Sequence, residues 1–146
     1  MLSVSTVVFD GQDMAAGFDL VAKLGLRAVE PAFIKGYVAF DETTFLPASA
    51  ARMAEMLAQS GLRAAALSAH LDLGEPDSIE HLLHRADYAA RIGAPMVVTN
   101  ATTLDRRGAL EAVLAVCLPE FAARKVVLAL ENPGHGTDAQ IGRAHV

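Results

Sequence analysis

Four side chains, Glu30, His70, Asn100 and Glu131, each close a short apolar run, and they are types that move protons, bind hydroxyl groups or hold a metal. Glu131 is the clearest. It ends "VVLALE" and is followed by the turn-forming "NPGHG" of residues 132–136. A carboxylate closing such a run is costly without a partner, so Glu131 is read as a site residue; the plainer alternative is a strand-end acid bonded to loop amides. His70 follows "ALSA", with Ser68 two positions before it, and is read as a site histidine against the alternative of a satisfied core imidazole. Glu30 stands before Pro31 and either anchors a loop or orients its neighbours, while Asn100 in "VVTNATT" is either a site amide or a turn residue.

Other candidates carry less. His81 and His84 are three apart, a spacing that suits metal ligands, but they flank the apolar stripe of a helix and are read as solvated. His135 is either a mouth residue or an ordinary loop residue. Gly134 and Gly136 lack the Lys-Ser/Thr that a phosphate loop requires. Cys117, the one cysteine, lies in "LEAVLAVCLPEF" and reads as a packed helix thiol. No spacing supports a Ser-His-Asp or Cys-His nucleophile.

The elements that must position these residues recur along the chain as helix, glycine, short apolar strand. "DLVAKLGLRAVE" and "MLAQSGLRAAALSAH" share Gly-Leu-Arg-Ala, and "ADYAARIGAPMVVTN" repeats the plan around Gly93. Each glycine suits the residue after a helix end, where positive φ is needed. The pattern predicts strands near 3–9, 26–31, 63–69, 95–100 and 125–131, and helices near 13–24, 48–60, 77–92 and 105–123. Asp77 and Glu80 make a capping-box pattern for the third helix, whose apolar face is Ile79, Leu82, Leu83, Ala86, Ala89 and Ala90. Pro119 is expected to kink the last helix or restart it.

Side chains alternate along a strand, so Glu131 shares its face with Ala129 and Val127, His70 with Ser68 and Ala66, Asn100 with Val98 and Met96, and Glu30 with Ala28. These sets are mostly small. The opposite faces carry larger groups, Leu128, Leu130, Leu67, Val97 and Val29, suited to packing on helices. If the sheet curls into a barrel, the four polar strand ends converge at its C-terminal mouth, where sites of that architecture are built.

"GLRAVEPAF", "GLRAAALSAHLDLG", "ADYAARIGAPMVVTN" and above all "VVLALENPG" resemble the first five βα units of the xylose isomerase-like TIM barrels. The resemblance implies an α/β fold, a (β/α)8 barrel truncated to about five units, and it implies sugar isomerase or epimerase chemistry for the parent protein. In that family a Glu ending strand five is one of four ligands to a divalent metal, a role that maps onto Glu131. A histidine ending strand three maps onto His70, where it lines the substrate site in the sugar enzymes. The family's repair nucleases carry a strand-four histidine where this sequence has Asn100, which favours the sugar branch. Glu30, Asn100 and Ser68 are then substrate-binding or supporting residues. The metal implied is Mn²⁺, Mg²⁺, Co²⁺ or Zn²⁺, and the chemistry is proton transfer beside a carbonyl through an enediolate. Related readings are a hydroxypyruvate isomerase or an inosose dehydratase-like lyase. A non-enzymatic five-stranded flavodoxin-like domain stays open as well.

Composition narrows the partners. The chain has 146 residues, 53% of them hydrophobic, and a net charge of −5, with its Lys and Arg scattered, so no nucleic-acid footprint is expected. No apolar run reaches the roughly 18 residues of a membrane span and no signal peptide is recognised, so a cytoplasmic protein is expected. The substrate implied is a sugar or polyol derivative, and a homo-oligomer of the full-length protein is allowed. A barrel of this type takes about 250 residues, so the chain reads as an N-terminal part, inactive alone, with two edge strands and an apolar face open to self-association. The domain is expected to occupy residues 1–140. Ile141 to Val146, "IGRAHV", match the translation of a common sequencing adapter and are expected to be a non-native tail.

Overall fold

Four helices end in the same backbone geometry, and that geometry sends the chain back into a sheet each time. In the computed structural model, which describes residues 2–131, these are α1 (Met14–Lys23), α2 (Pro47–Gln59), α3 (Ser78–Ile92) and α4 (Arg107–Ala123). After each helix a residue takes positive φ, and the next amide returns to a carbonyl in the last turn: Leu26 to Val21, Leu62 to Leu57, Ala94 to Ala89 and Val126 to Phe121. Gly25, Gly61 and Gly93 fill three of these positions as expected. The fourth is Lys125 at φ 57, a conformation that crowds its Cβ.

The strands are β1 (Val4–Ser5), β2 (Ala28–Glu30), β3 (Ala32–Phe33), β4 (Arg63–Ala64), β5 (Leu67–Ala69), β6 (Met96–Asn100) and β7 (Val127–Glu131). All pairings are parallel, β1 to β2 to β4 and β3 to β5 to β6 to β7. β2 and β3 are one strand interrupted at Pro31; β4 and β5 are one strand interrupted at Ala65 and Ala66. Five strand positions therefore follow one another in chain order. That order overturns the flavodoxin-like alternative, which needs the first strand between the second and third. Among the described residues β1 and β7 each have one neighbour, and Val127 and Leu130 on β7 are exposed.

Two local features adjust the expected elements. The first strand stops at Ser5 rather than residue 9, because a 3-10 turn (Thr6–Phe9) follows and the Thr6 hydroxyl accepts the Ala32 amide at 2.8 Å. The second strand, expected to end at Pro31, runs on to Phe33. Proline cannot donate to the ladder, but its carbonyl still accepts the Ser68 amide at 2.9 Å.

Helices cover one face of the sheet. Phe18, Val21, Met53, Leu57, Leu82, Ala89, Cys117 and Phe121 pack there against Val29, Leu67 and Val97, the larger strand residues expected on that face. Leu130 departs from that expectation as an exposed residue of the edge strand. The apolar face of α3 includes Leu82, Ala86 and Ala89, but Ala90 is exposed and Arg85 is buried in its stead. Its expected capping box is not formed: Asp77 has φ −91 and ψ 10, not the extended backbone a cap requires. Ser78 closes the turn instead, its hydroxyl donating to the Leu73 carbonyl at 3.2 Å. α4 runs through Pro119 as one helix without restarting, since the ring removes one amide bond while Cys117 and Phe121 stay anchored in the core. No helix among the described residues is long and apolar enough to cross a membrane.

Candidate functional site

Register decides which strand-end residues meet. Asn100 stands opposite Glu131, Ser68 opposite Val98, and Val98 opposite Ala129. His70, two residues beyond Ser68, therefore shares a layer with Asn100 and Glu131. Its imidazole crosses β6 to bring Nε2 within 3.3 Å of Glu131 Oε2, with the His70 side chain 17% exposed and that of Glu131 56% exposed. His70 and Glu131, each expected from the sequence as a site residue, are thus in contact, between strands that are not neighbours.

Glu30 does not join them. Because its strand continues through Ala32 opposite Ser68, Glu30 lies one layer below Ser68 and two below His70. There its Oε1 accepts the Ser68 hydroxyl at 2.6 Å, and Ser68 is 5% exposed. The convergence of all four strand ends at one rim is corrected accordingly: three share the rim, and Glu30 with Ser68 forms a polar floor beneath.

The alternation along the third strand is interrupted between Ala64 and Ser68. Val29 pairs with Ala64 while Ala32 pairs with Ser68, so the third strand carries one residue more than the second over this stretch. The extra residue is a bulge between β4 and β5, below Leu67, and parity does not carry across it.

Backbone bonds beyond the ladders tie the rim together. Ala101 donates to the Glu131 carbonyl at 2.8 Å and Leu73 donates to the Ala101 carbonyl at 3.1 Å. Arg106, between the fourth strand and α4, bridges to Asp72 at 2.6 Å and Glu75 at 2.7 Å in the loop after His70. Partial burial works against the Asp72 carboxylate, yet the Gly74 amide and Arg106 hold it below the usual range. Gly74 is required here by space: a Cβ would meet the Thr102 hydroxyl oxygen at 2.3 Å.

Three residues behind the rim escaped the sequence reading. Arg85 is fully buried on α3 and donates to the Ala69 carbonyl, one residue before His70, at 3.2 Å. Its guanidinium also forms a two-pronged pair with Glu42 at 2.7 and 2.9 Å and lies 4.1 Å over the Phe45 ring. Glu42 opens a 3-10 turn (Glu42–Phe45) whose Thr43 amide is capped by the Asp41 carboxylate. Burial opposes ionisation of Glu42, but Arg85 holds its carboxyl below the usual range. Thr99, fully buried on β6, is the third. An arginine at the i+3 position from Leu82 and a hydroxyl in "VVTN" were the available signals.

Phe33, Phe45 and Tyr88 pack edge to face behind the clasp, and burial pushes the Tyr88 phenol up. His81 and His84 are half-buried, not solvated as expected; with Glu42, Thr43, Leu46 and Glu80 they line a cavity of about 160 Å³. Among the described residues no group of three or more His, Cys, Asp or Glu side chains is placed to hold a metal ion. His135, Gly134, Gly136 and the 141–146 tail lie outside the described residues.

The sequence model of a family described as xylose isomerase-like TIM barrel matches residues 18–144. No curated protein matches the chain. Among solved structures, a sugar phosphate isomerase/epimerase from Parabacteroides distasonis matches with a TM-score of 0.63 and 19% identity, over 90% of this chain and 50% of that one. A putative uncharacterized protein from the same organism matches with a TM-score of 0.58 and 16% identity, over 95% of this chain and 55% of that one. The chain spans about half the length of these structures. At such identities the likeness is one of fold, a partial parallel barrel.

Proposed function

We propose that this chain, which belongs to the xylose isomerase-like TIM barrel family, supplies one side of the active site of a metal-dependent sugar or sugar phosphate isomerase or epimerase. The observation that carries the reading is the approach of His70 Nε2 to Glu131 Oε2, 3.3 Å apart on the rim where strands end. The sugar phosphate isomerase/epimerase whose fold it shares supports the substrate class.

The two donor atoms fit a divalent cation in chemistry. Glu131 would hold the ion through its carboxylate, with the His70 imidazole nitrogen beside it at 3.3 Å. Glu131 would be the principal ligand, with Mn²⁺, Mg²⁺, Co²⁺ and Zn²⁺ all compatible with its oxygen. When bound, such an ion supplies Lewis-acid polarisation of the substrate carbonyl.

The chain's own residues would do the rest. His70, held from behind and 17% exposed, presents one ring nitrogen to a substrate hydroxyl. Asn100, opposite Glu131, offers an amide to a second hydroxyl. Glu131, the more exposed partner, would move a proton to or from the carbon beside the carbonyl. Ser68 and Glu30 satisfy each other beneath and close the floor of the site.

The test is solvent deuterium exchange by the parent polypeptide, with a panel of aldoses, ketoses and their phosphates and Mn²⁺ added. Incorporation beside the carbonyl, lost in Glu131→Gln, supports the proposal. Absence of exchange with every sugar, or exchange indifferent to Glu131→Gln, overturns it.

A further inference from the structure

Where β5 ends, two buried side chains take over from the sheet. The β5 to β6 ladder closes with Ser68 opposite Val98. Continued in register, Leu71 would stand opposite Ala101. Instead the Thr99 hydroxyl accepts the Leu71 amide at 2.9 Å and donates to the Leu71 carbonyl at 3.2 Å. On the other side of His70, the Ala69 carbonyl is held by Arg85 and the His70 amide donates to Phe33 at 3.1 Å. His70 is thus the one residue of this turn-off whose side chain faces the rim while both its neighbours are fastened from behind.

We propose that Thr99 is a positioning residue for His70, fixing the backbone beyond it so that the imidazole reaches Glu131 across β6. Thr99 is fully buried on the helix-facing side of β6, where Val97 is its neighbour on that face. Valine would fill the same space. The hydroxyl is therefore there to bond, and both its bonds go to the residue after His70. Without it the Leu71 amide and carbonyl lose their partners, and the chain leaving Ala69 is free to follow another path. The Thr99 hydroxyl bonds the Leu71 main chain on both sides, so it acts on His70 through the backbone.

The inference rests on reading His70 and Glu131 as site residues, so its test uses neither substrate nor metal. The readout is the tautomer of His70 in the ¹⁵N-labelled chain, in chelator, at about pH 9, where imidazoles are neutral. His70→Gln assigns the signal. A carboxylate beside Nε2 favours the form protonated there. The unsubstituted chain and Thr99→Ser are expected to hold that form, and Thr99→Val to lose its excess. Leu71 amide exchange should rise about tenfold in Thr99→Val, as expected for losing one ordinary hydrogen bond, with Val98 unchanged. A folded Thr99→Val chain with the parent tautomer and parent Leu71 exchange overturns the proposal, as does an unsubstituted chain without the Nε2–H excess. If Thr99→Val does not fold, Thr99→Ala is read in its place. Failure of both, with Thr99→Ser folded, makes the hydroxyl a folding determinant and also overturns the positioning role. Absence of deuterium exchange with every sugar would sink the proposed function while leaving this result standing.

Discussion

His70 and Glu131 meet although no hydrogen bond joins their strands: β6 runs between β5 and β7, and the imidazole spans it to place Nε2 3.3 Å from the carboxylate. Both residues sit one layer above Ser68, Val98 and Ala129, so the contact depends on the register of three strands at once.

The two donors at the rim, His70 and Glu131, are fewer than the three or four side chains that hold a divalent ion firmly, so any binding is expected to be weak. Calorimetry of the chain with Mn²⁺ is expected to give a Kd no tighter than about 1 mM, an interaction of roughly 4 kcal/mol, weakened further by Glu131→Ala. Tight stoichiometric binding would contradict this.

The Glu42–Arg85 clasp has unequal halves, since the Arg85 side chain is fully buried and that of Glu42 is 35% exposed. Glu42→Ala strands a buried guanidinium and is expected to destabilise the chain by roughly 3 kcal/mol. Arg85→Met frees a carboxylate that water can reach, but leaves the Ala69 carbonyl unpaired, at a cost of about 1–3 kcal/mol. The double variant should lose less than the sum, by about 1 kcal/mol or more in urea unfolding. Strict additivity would show that the pair is not coupled.

Acid should weaken the fold through the same group. Glu42 is held below its ordinary value of 4.5 by Arg85, so its contribution is complete above that pH and is lost as pH falls through the lowered folded value. Asp72 behaves alike from its ordinary value of 3.8. Urea midpoints are expected to fall only once pH drops below about 4.5, and Glu42→Gln should flatten the upper part of that fall. A midpoint that rises on acidification through this window would reverse the assigned sign.

Lys125 is the exception in a four-fold pattern. At φ 57 it occupies the position that glycine fills after the other three helices, and its side chain is exposed. Lys125→Gly is expected to raise stability by about 0.5–1 kcal/mol, seen as a higher Tm, because the strain removed outweighs the added freedom of the unfolded chain. A lower Tm would mean that the lysine contributes a contact worth more than the strain.

The repeat of helix, glycine and strand was legible in the sequence because capping and alternation act over a few residues, which is why α1, α2 and the paired face of β6 and β7 fall where expected. His70, Asn100 and Glu131 were legible for the same reason, as polar groups closing apolar runs. The depth of Glu30 was not. It turns on whether the strand survives Pro31, and that is decided by Thr6 and Ser68, distant in the chain, which bond the Ala32 amide and the Pro31 carbonyl at the interruption.

What the sequence by itself determined is the order of elements, the parallel sheet they imply and the residues at three strand ends, all consequences of local backbone preference and apolar periodicity. Only the tertiary structure decided which of those ends touch. The one-residue bulge between β4 and β5 sets the register between strands, the buried Arg85 and the paired bonds of Thr99 hold the chain beyond it, and such pairings are long-range quantities. They are fixed by contacts between residues about 16 to 38 apart, each satisfying a buried polar group that no local pattern announces.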